Sequence, residues 1–219
     1  MRPEVCEDSG QALPLYITAV VGLLFLALIF FAFGEADIQR NGAQSAADAA
    51  ALAAAKESRS LLEPDLKAHL ADPDYLASMF SPSFLGGSDN ACWRAASFAV
   101  LNKAGIVRCQ PLADGRWGYE VRLQSTKALS TDIVPGTGGK KAEAVAVAVV
   151  EPRCTFTPES DNAPEPTSSP DTDDPDPEAT TMPVGKVRCG GDLDWVVDSE
   201  DLTLMPDMAD LFSVRLAEK

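Results

Sequence analysis

The chain has 219 residues and a formal net charge of -15, because 33 acidic side chains oppose 18 basic ones. Eight of the acids lie between Glu159 and Glu178, a stretch without Lys or Arg, so the acidity is largely regional. A chain this acidic, with no basic cluster in its sequence, would be repelled by phosphate groups. Nucleic acid is therefore excluded as an expected partner, and anionic lipid surfaces are disfavoured.

The first predicted element is a membrane-spanning helix over residues 12–34, preceded by a cytoplasmic tail, residues 1–11. No charged side chain occurs from Ser9 to Gly34, and Leu15 to Phe33 are 19 mostly large apolar residues. At about 1.5 Å per residue, this run crosses the roughly 30 Å of hydrocarbon in a bilayer. A cleaved secretory signal is the alternative, but the apolar run is too long and the start carries three acids against Arg2. The lipid bilayer is thus the first expected partner.

An alanine-rich helix, residues 35–62, is predicted to continue from the membrane helix, because no proline lies between Gly34 and Pro64. Alanines recur along it at steps of three and four, which places them on one face. Small residues let helix axes approach closely, so this face either packs on the chain's own domain or contacts other helices. The helix-contact face comprises Ala43, Ala46, Ala47, Ala50, Ala53 and Ala54.

The sequence around the membrane helix has a recognisable pattern. The segments GQALPLYITAVVGLLFLALIF and QRNGAQSAADAAALAAA resemble the N-terminus of TadE/TadG-like proteins of the Flp (tight-adherence) pilus system, especially their actinobacterial members. The resemblance implies a pseudopilin-like or pilus-accessory membrane protein with its N-terminus in the cytoplasm. Its expected partners are other pilus or secretion-system membrane proteins, and the alanine face could then contact a pilus shaft.

The same resemblance gives a candidate processing site at Gly10 and Gln11. In prepilins the processing peptidase cuts after a glycine, and a glutamate usually follows five residues into the mature helix. Counting from Gly10, that position holds Leu15, so this chain lacks the usual glutamate.

Residues 63–90 are predicted to be a linker, because prolines and glycines interrupt them, with a short helix around Leu66 to Leu70. A small α+β domain follows over residues 91–154. It begins with a helix from Ala91 to Lys103, which is predicted to stop between Asn102 and Gly105. The apolar positions of that helix recur at helical spacing: Trp93, Ala96, Ala99 and Val100.

Three strands are predicted for the domain. Apolar and polar residues alternate from Trp117 to Gln124, which indicates a half-buried strand. The run from Ala142 to Val150 is small and β-branched, which indicates a buried strand that pairs with the first across the loop Pro135 to Lys141. Alternation at Phe212, Val214 and Leu216 predicts a last strand, within C-terminal strands at residues 189–219 that complete the domain. The expected fold class is α+β.

An acidic, proline-rich loop is predicted to be disordered over residues 155–188, because residues 155–183 hold seven prolines and eight acids but little that could form a core. Cys154 and Cys189 bracket this loop, so a bond between them would tie its ends together.

The cysteines predict two disulfides in an oxidising compartment. Cys6 precedes the apolar run, and the other four follow it at irregular spacing without a Cys-x-x-Cys pair, which disfavours a zinc site. Four buried free thiols in a cytosolic domain are the alternative. We expect the bonds Cys92 to Cys109 and Cys154 to Cys189, with two other pairings allowed. Disulfides would place the C-terminal domain outside the plasma membrane of a single-pass protein.

No catalytic, cofactor-binding or metal-ligating residue is predicted, and no small-molecule substrate is evident. Gly136 to Lys141 fails the spacing of a phosphate-binding loop, and His69, the one histidine, is expected to be exposed. Asp171 to Glu178 lacks the Gly-centred turn of a calcium loop. An extracellular enzyme would need a site that is not seen. Two non-enzymatic functions remain: a component of Flp/Tad-type pilus assembly or secretion, or a stand-alone cell-surface protein that binds an external partner.

Overall fold

The structure is a computed structural model that describes residues 12–86, 89–128, 138–159, 183–191 and 193–218. Three sequence-based predictions lie outside the described residues: the N-terminal tail, the candidate processing site at Gly10 and Gln11, and the centre of the acidic loop. The described part combines helices with antiparallel sheets, so the predicted α+β class is confirmed.

Helix α1 is a single helix of 50 residues, Ala12–Leu61. The membrane helix and the alanine-rich helix predicted from the sequence are therefore one continuous element, about 75 Å long at the usual rise per residue. Its segment Leu13–Phe31 is long and apolar enough to cross a membrane, and the protein buries none of it. Within the described ranges, this is the single helix with that property.

Residues 63–90 contain more structure than the predicted linker with one helix around Leu66 to Leu70. They form α2, Glu63–Ala68, and α3, Pro73–Met79. Pro64 and Pro73 lie in the first turns of these helices, where a missing N–H costs little, so they start helices instead of preventing them. The segment also contributes to the core through Leu66, Leu70, Leu76, Met79 and Phe80, all of which are buried.

Helix α4, Cys92–Leu101, ends at Asn102, as predicted. Of its apolar residues, Trp93 and Val100 are 53% and 71% exposed. The buried residues are Ala95 and Ala99, with Ala91 in the short 3-10 turn before the helix. Small side chains at a spacing of four let α4 lie close to α1, so the larger apolar side chains remain outside.

The larger sheet, sheet A, is antiparallel with the order β1-β2-β3-β7. The strands are β1, Ala104–Pro111; β2, Gly118–Ala128; β3, Lys141–Pro152; and β7, Phe212–Ala217. The predicted pairing of β2 with β3 is confirmed, with Val121 opposite Ala146. The last strand is also confirmed, and a short helix, α5, Met208–Leu211, leads into it. Strand β1 was not predicted.

A second antiparallel sheet, sheet B, has three strands in the order β4-β5-β6. They are β4, Cys154–Pro158; β5, Gly185–Cys189; and β6, Asp194–Val197, followed by a 3-10 turn at Leu202–Leu204. Both ends of the predicted disordered loop therefore belong to strands, and the boundaries 155–188 are too wide.

Two disulfides connect these elements, with the pairing expected from the sequence. Cys92 is bonded to Cys109, and Cys154 is bonded to Cys189. The first bond joins α4 to β1. The second joins residues that lie directly opposite each other on β4 and β5. It therefore links the two strands between which the chain leaves sheet B and returns to it.

Replacing Cys154 and Cys189 with serine is expected to lower the free energy of unfolding by about 4 kcal/mol. The corresponding change at Cys92 and Cys109 is expected to cost about 3 kcal/mol. The order follows from sequence separations of 35 and 17 residues, because a longer closed loop removes more entropy from the unfolded chain. Urea unfolding followed by tryptophan fluorescence measures both. Unchanged midpoints in both variants would contradict the prediction.

Candidate functional site at the junction of helix and domain

Helix α1 has two halves with opposite environments. In the first half the large apolar side chains are exposed, and Phe30, for example, is 83% exposed. From Ala43 onward one face is covered by the domain, and Ala50 is 0% exposed. The change occurs between Gly34 and Gly42, close to the end of the apolar segment. The domain is therefore fixed to the same helix that carries the exposed apolar segment.

The alanine face is the contact between α1 and the rest of the protein. All six alanines of the predicted helix-contact face are 0 to 5% exposed, and α1 packs against β3, β2, α4 and β7. No area on this face remains for another helix. The interpretation as a surface for partner helices is thus corrected, and the alternative, packing on the chain's own domain, is the one observed. Strand β3 adds small buried residues to the same core cluster, namely Ala144, Ala146 and Ala148.

A buried polar group fixes the far end of the helix. The Ser58 side chain is in the fully buried core at 1% exposure, and its hydroxyl donates to the Gly86 carbonyl at 3.2 Å. The same hydroxyl accepts a hydrogen bond from Trp117 Nε1 at 2.9 Å. The Trp117 ring lies edge-on to Phe84 and Phe212, with ring centres 5.6 and 5.4 Å away. The Ser58 hydroxyl thus both donates and accepts a hydrogen bond, although it is buried within a cluster of aromatic rings.

Arg59 ties α1 to the end of the chain. Its Nη1 donates to the Phe212 carbonyl at 3.0 Å. Burial lowers the pKa of the Arg59 guanidinium, and the charge of Asp210 opposes that shift. An arginine titrates so far above neutrality that the group remains charged. The carbonyl contact therefore links the helix to the first residue of β7.

Two glutamines fix the end of the domain that lies nearest the apolar segment. Gln39 Nε2 donates to the Ala128 carbonyl at 3.5 Å, and Gln44 Nε2 donates to the Val145 carbonyl at 3.4 Å. The chain from Trp117, just before β2, to Ala128, the last residue of β2, thus runs down α1 from Ser58 to Gln39. The 19 residues of α1 between these points rise about 28 Å. One end of the domain is consequently held next to the apolar segment, and the other end is held far from it.

The only histidine has a local structural role. His69 is exposed, as predicted, with Nδ1 2.9 Å from the Asp65 carbonyl oxygen and its ring stacked on Tyr75 at 4.5 Å. Tyr75 donates its hydroxyl hydrogen to the Asp65 carboxylate. Burial, together with this hydrogen bond, raises the pKa of Tyr75. These contacts connect α2 to α3.

Across the ranges that the structure describes, no group of three or more His, Cys, Asp or Glu side chains could hold a metal ion. Of the segment Gly136 to Lys141, residues 138–141 are described, and they form a turn at Gly138 and Gly139 before β3. Asp171 to Glu178 lies outside the described residues.

The polar anchors Gln39, Gln44, Ser58 and Arg59 were not singled out in the sequence. The sequence does contain a signal for two of them, because Ser58 and Arg59 continue the alanine stripe of the helix, and a polar residue on a buried face needs a hydrogen-bond partner. The partners, Trp117 and Phe212, are 59 and 153 positions away, so the sequence could not identify them.

Residues 10–57 match the family model described as "Putative Flp pilus-assembly TadE/G-like". The match covers less than a quarter of the chain and ends within α1, so it includes the apolar segment and the alanine face but not the sheets. It confirms the resemblance seen in the sequence. The chain matches none of the curated proteins and none of the solved structures with which it was compared.

Replacing Ala50 with leucine is expected to lower the free energy of unfolding by about 1 to 3 kcal/mol, because the larger side chain overfills a close-packed contact. Ala96→Leu is the matched control, since Ala96 is exposed on α4. It is expected to change the unfolding free energy by less than about 0.5 kcal/mol. Urea unfolding in detergent measures both variants. Equal stability of the two would show that the alanine face is not held against the domain in solution.

Proposed function

The chain carries a TadE/G-like segment at residues 10–57, and from this premise we propose that it is a membrane-anchored, non-enzymatic, pseudopilin-like or accessory component of Flp/Tad-type pilus assembly. The single observation that carries the proposal is the coincidence of three features on α1. The family match, the exposed apolar segment and the attachment of the domain all lie on this one helix.

The exposed half of α1 supports anchoring in a bilayer. Most of its large apolar side chains are 52 to 83% exposed, among them Leu13, Ile17, Leu24 and Phe31. Contiguous apolar surface on this scale normally marks contact with a membrane or another protein. A helix of this length and composition suits the hydrocarbon layer, where its backbone groups are already hydrogen-bonded.

The same half of α1 is the surface available to other membrane helices. The alanine face is occupied by the domain, so contacts with other pilus-system membrane proteins must involve the segment before Gly42 or the outer surface of the domain. Such proteins, together with the lipid bilayer, are the proposed partners. The domain then acts as a body that α1 holds at a fixed position beside the membrane.

The proposed orientation has the N-terminus in the cytoplasm and the domain outside the plasma membrane. Two disulfides in the domain support it, because such bonds persist in oxidising compartments. Protease added to cells whose wall has been removed is expected to digest the domain. Protection of the domain until the cells are lysed would show that the orientation is the opposite of the one proposed.

A second candidate function is a stand-alone surface protein that binds an external partner. The observation in its favour is apolar surface on the domain itself: Trp93, Val100, Leu101 and Val107 are 53 to 76% exposed. These side chains lie on α4 and β1, which are bonded through Cys92 and Cys109. In that case the apolar half of α1 would be an anchor without helix partners.

Photocrosslinking in the native cells distinguishes the two candidates. A photoreactive residue placed at Leu24, Leu28 or Phe31 is expected to form adducts with membrane proteins of the Flp/Tad system, because these side chains face outward from α1. The matched control is the same residue at Lys56, which is exposed on α1 but beyond the apolar segment. Membrane-localised chains that give no such adduct from any of the three positions would contradict the pilus proposal and favour a stand-alone protein.

A further inference from the structure

The end of the domain nearest the apolar segment collects basic side chains from distant parts of the sequence. Strand β2 ends beside Gln39 of α1, and its last residue, Ala128, pairs with Lys141. The backbone N–H and the hydroxyl of Thr126 both donate to the Lys103 carbonyl, at 2.9 Å each. Five exposed cations therefore lie at this end, here named the basic base: Arg40, Lys103, Lys127, Lys140 and Lys141.

The basic base lies at the depth where the apolar segment ends. Lys127 lines a groove of about 1190 Å³ together with Phe30, Phe31 and Ile38 of α1. Phe31 is the last residue of the segment that is apolar enough to cross a bilayer. With that segment in hydrocarbon, the Lys127 ammonium reaches the headgroup layer while its stem lies along apolar surface, as long cationic side chains do at interfaces.

The charge of the basic base is opposite to that of the chain as a whole. Among the described residues, none of its five cations forms an ion pair. The described carboxylates near it are Asp37, which contacts Asn41, and Glu143, which accepts a hydrogen bond from Gln124. Glu35 also belongs to this part of α1. The cations outnumber these acids in a chain whose formal net charge is -15.

We infer that the basic base binds the anionic headgroups of phospholipids in the leaflet that the domain faces, an inference that rests on the proposed anchoring of α1. Cations near an anionic membrane surface each favour binding by about fivefold. Charges act over a screening length of about 8 to 10 Å at physiological salt. The far end of the domain lies about 28 Å along α1, so acidic residues there do not cancel the attraction.

This inference revises the expectation that anionic lipid surfaces are disfavoured. That expectation used the net charge and the lack of a basic run in the sequence. The lysines of the basic base meet because β2 and β3 pair at their ends and the turn after α4 packs beside them. The whole-chain charge therefore does not describe the surface that faces the membrane.

The test uses the full chain reconstituted in vesicles that contain phosphatidylcholine and phosphatidylglycerol. Spin-labelled versions of the two lipids report, by electron paramagnetic resonance, what fraction of each is immobilised by the protein. The base variant is one protein that carries three substitutions together: Lys127→Gln, Lys140→Gln and Lys141→Gln. Lys103 is left unchanged because its φ of 56° and its carbonyl contacts give it a backbone role. The matched control also carries three substitutions together, at exposed lysines elsewhere in the protein: Lys56→Gln, Lys67→Gln and Lys186→Gln.

The wild-type protein is expected to immobilise the anionic lipid severalfold more strongly than phosphatidylcholine, and added salt should reduce the difference. The base variant should bring the ratio close to one, and the control variant should retain the wild-type ratio. Equal immobilisation of the two lipids by the wild type would overturn the inference while leaving the anchoring intact. Equal loss in both variants would also overturn it, because the effect would then reflect net charge. No immobilised lipid of either kind would contradict the anchoring itself, and the inference with it.

Discussion

Close packing of alanine against alanine is the interaction on which the rest of this structure depends. The buried face of α1 meets small residues of β3 and α4, so the helix lies near both the sheet and the second helix. Larger side chains would separate these elements and weaken every contact along them. Because α1 also carries the apolar segment, the same contact sets the position of the domain relative to the membrane proposed here. The polar groups at Gln39 and Ser58 hold the two ends of the contact.

The packing of α1 also determines which surfaces remain for partners. One face of its second half is used within the chain, whereas the protein buries none of the apolar segment in its first half. In the proposed arrangement, this rigid connection presents the basic base to the headgroup layer. The surfaces proposed for anchoring, for lipid contact and for contact with pilus-system proteins then all belong to one rigid body.

The parts of the fold with regular periodicity could be predicted from the sequence, and those with a broken pattern could not. Strands β2 and β3 were found because apolar residues alternate in one and β-branched residues run through the other. Strand β1 was missed because it is an edge strand with an irregularity between Ile106 and Arg108, which disrupts the period of two. On α4 the helical spacing of the apolar residues does not give the buried face, because the close contact with α1 buries Ala95 and Ala99 and leaves Trp93 and Val100 exposed.

The alanine face of the candidate site could be identified from the sequence, but the elements that it contacts could not. A stripe of alanines suits both an internal contact and a partner helix, and only the tertiary structure shows which of the two it makes. The basic base was invisible in the sequence because Arg40, Lys103 and Lys141 are far apart in the chain. By contrast, the position of the cysteines around the acidic segment favoured one disulfide pairing among the three that four cysteines allow, and the structure has those bonds.

Hydrogen exchange of the full chain in a membrane mimetic tests most directly whether α1 and the domain are one cooperative unit. The amides of α1 from Ala43 to Ser58 are expected to exchange as slowly as those of β2 and β3, through the same global opening. Exchange of that helical segment at a distinctly faster rate than the sheet would show that α1 separates from the domain, and it would contradict the account.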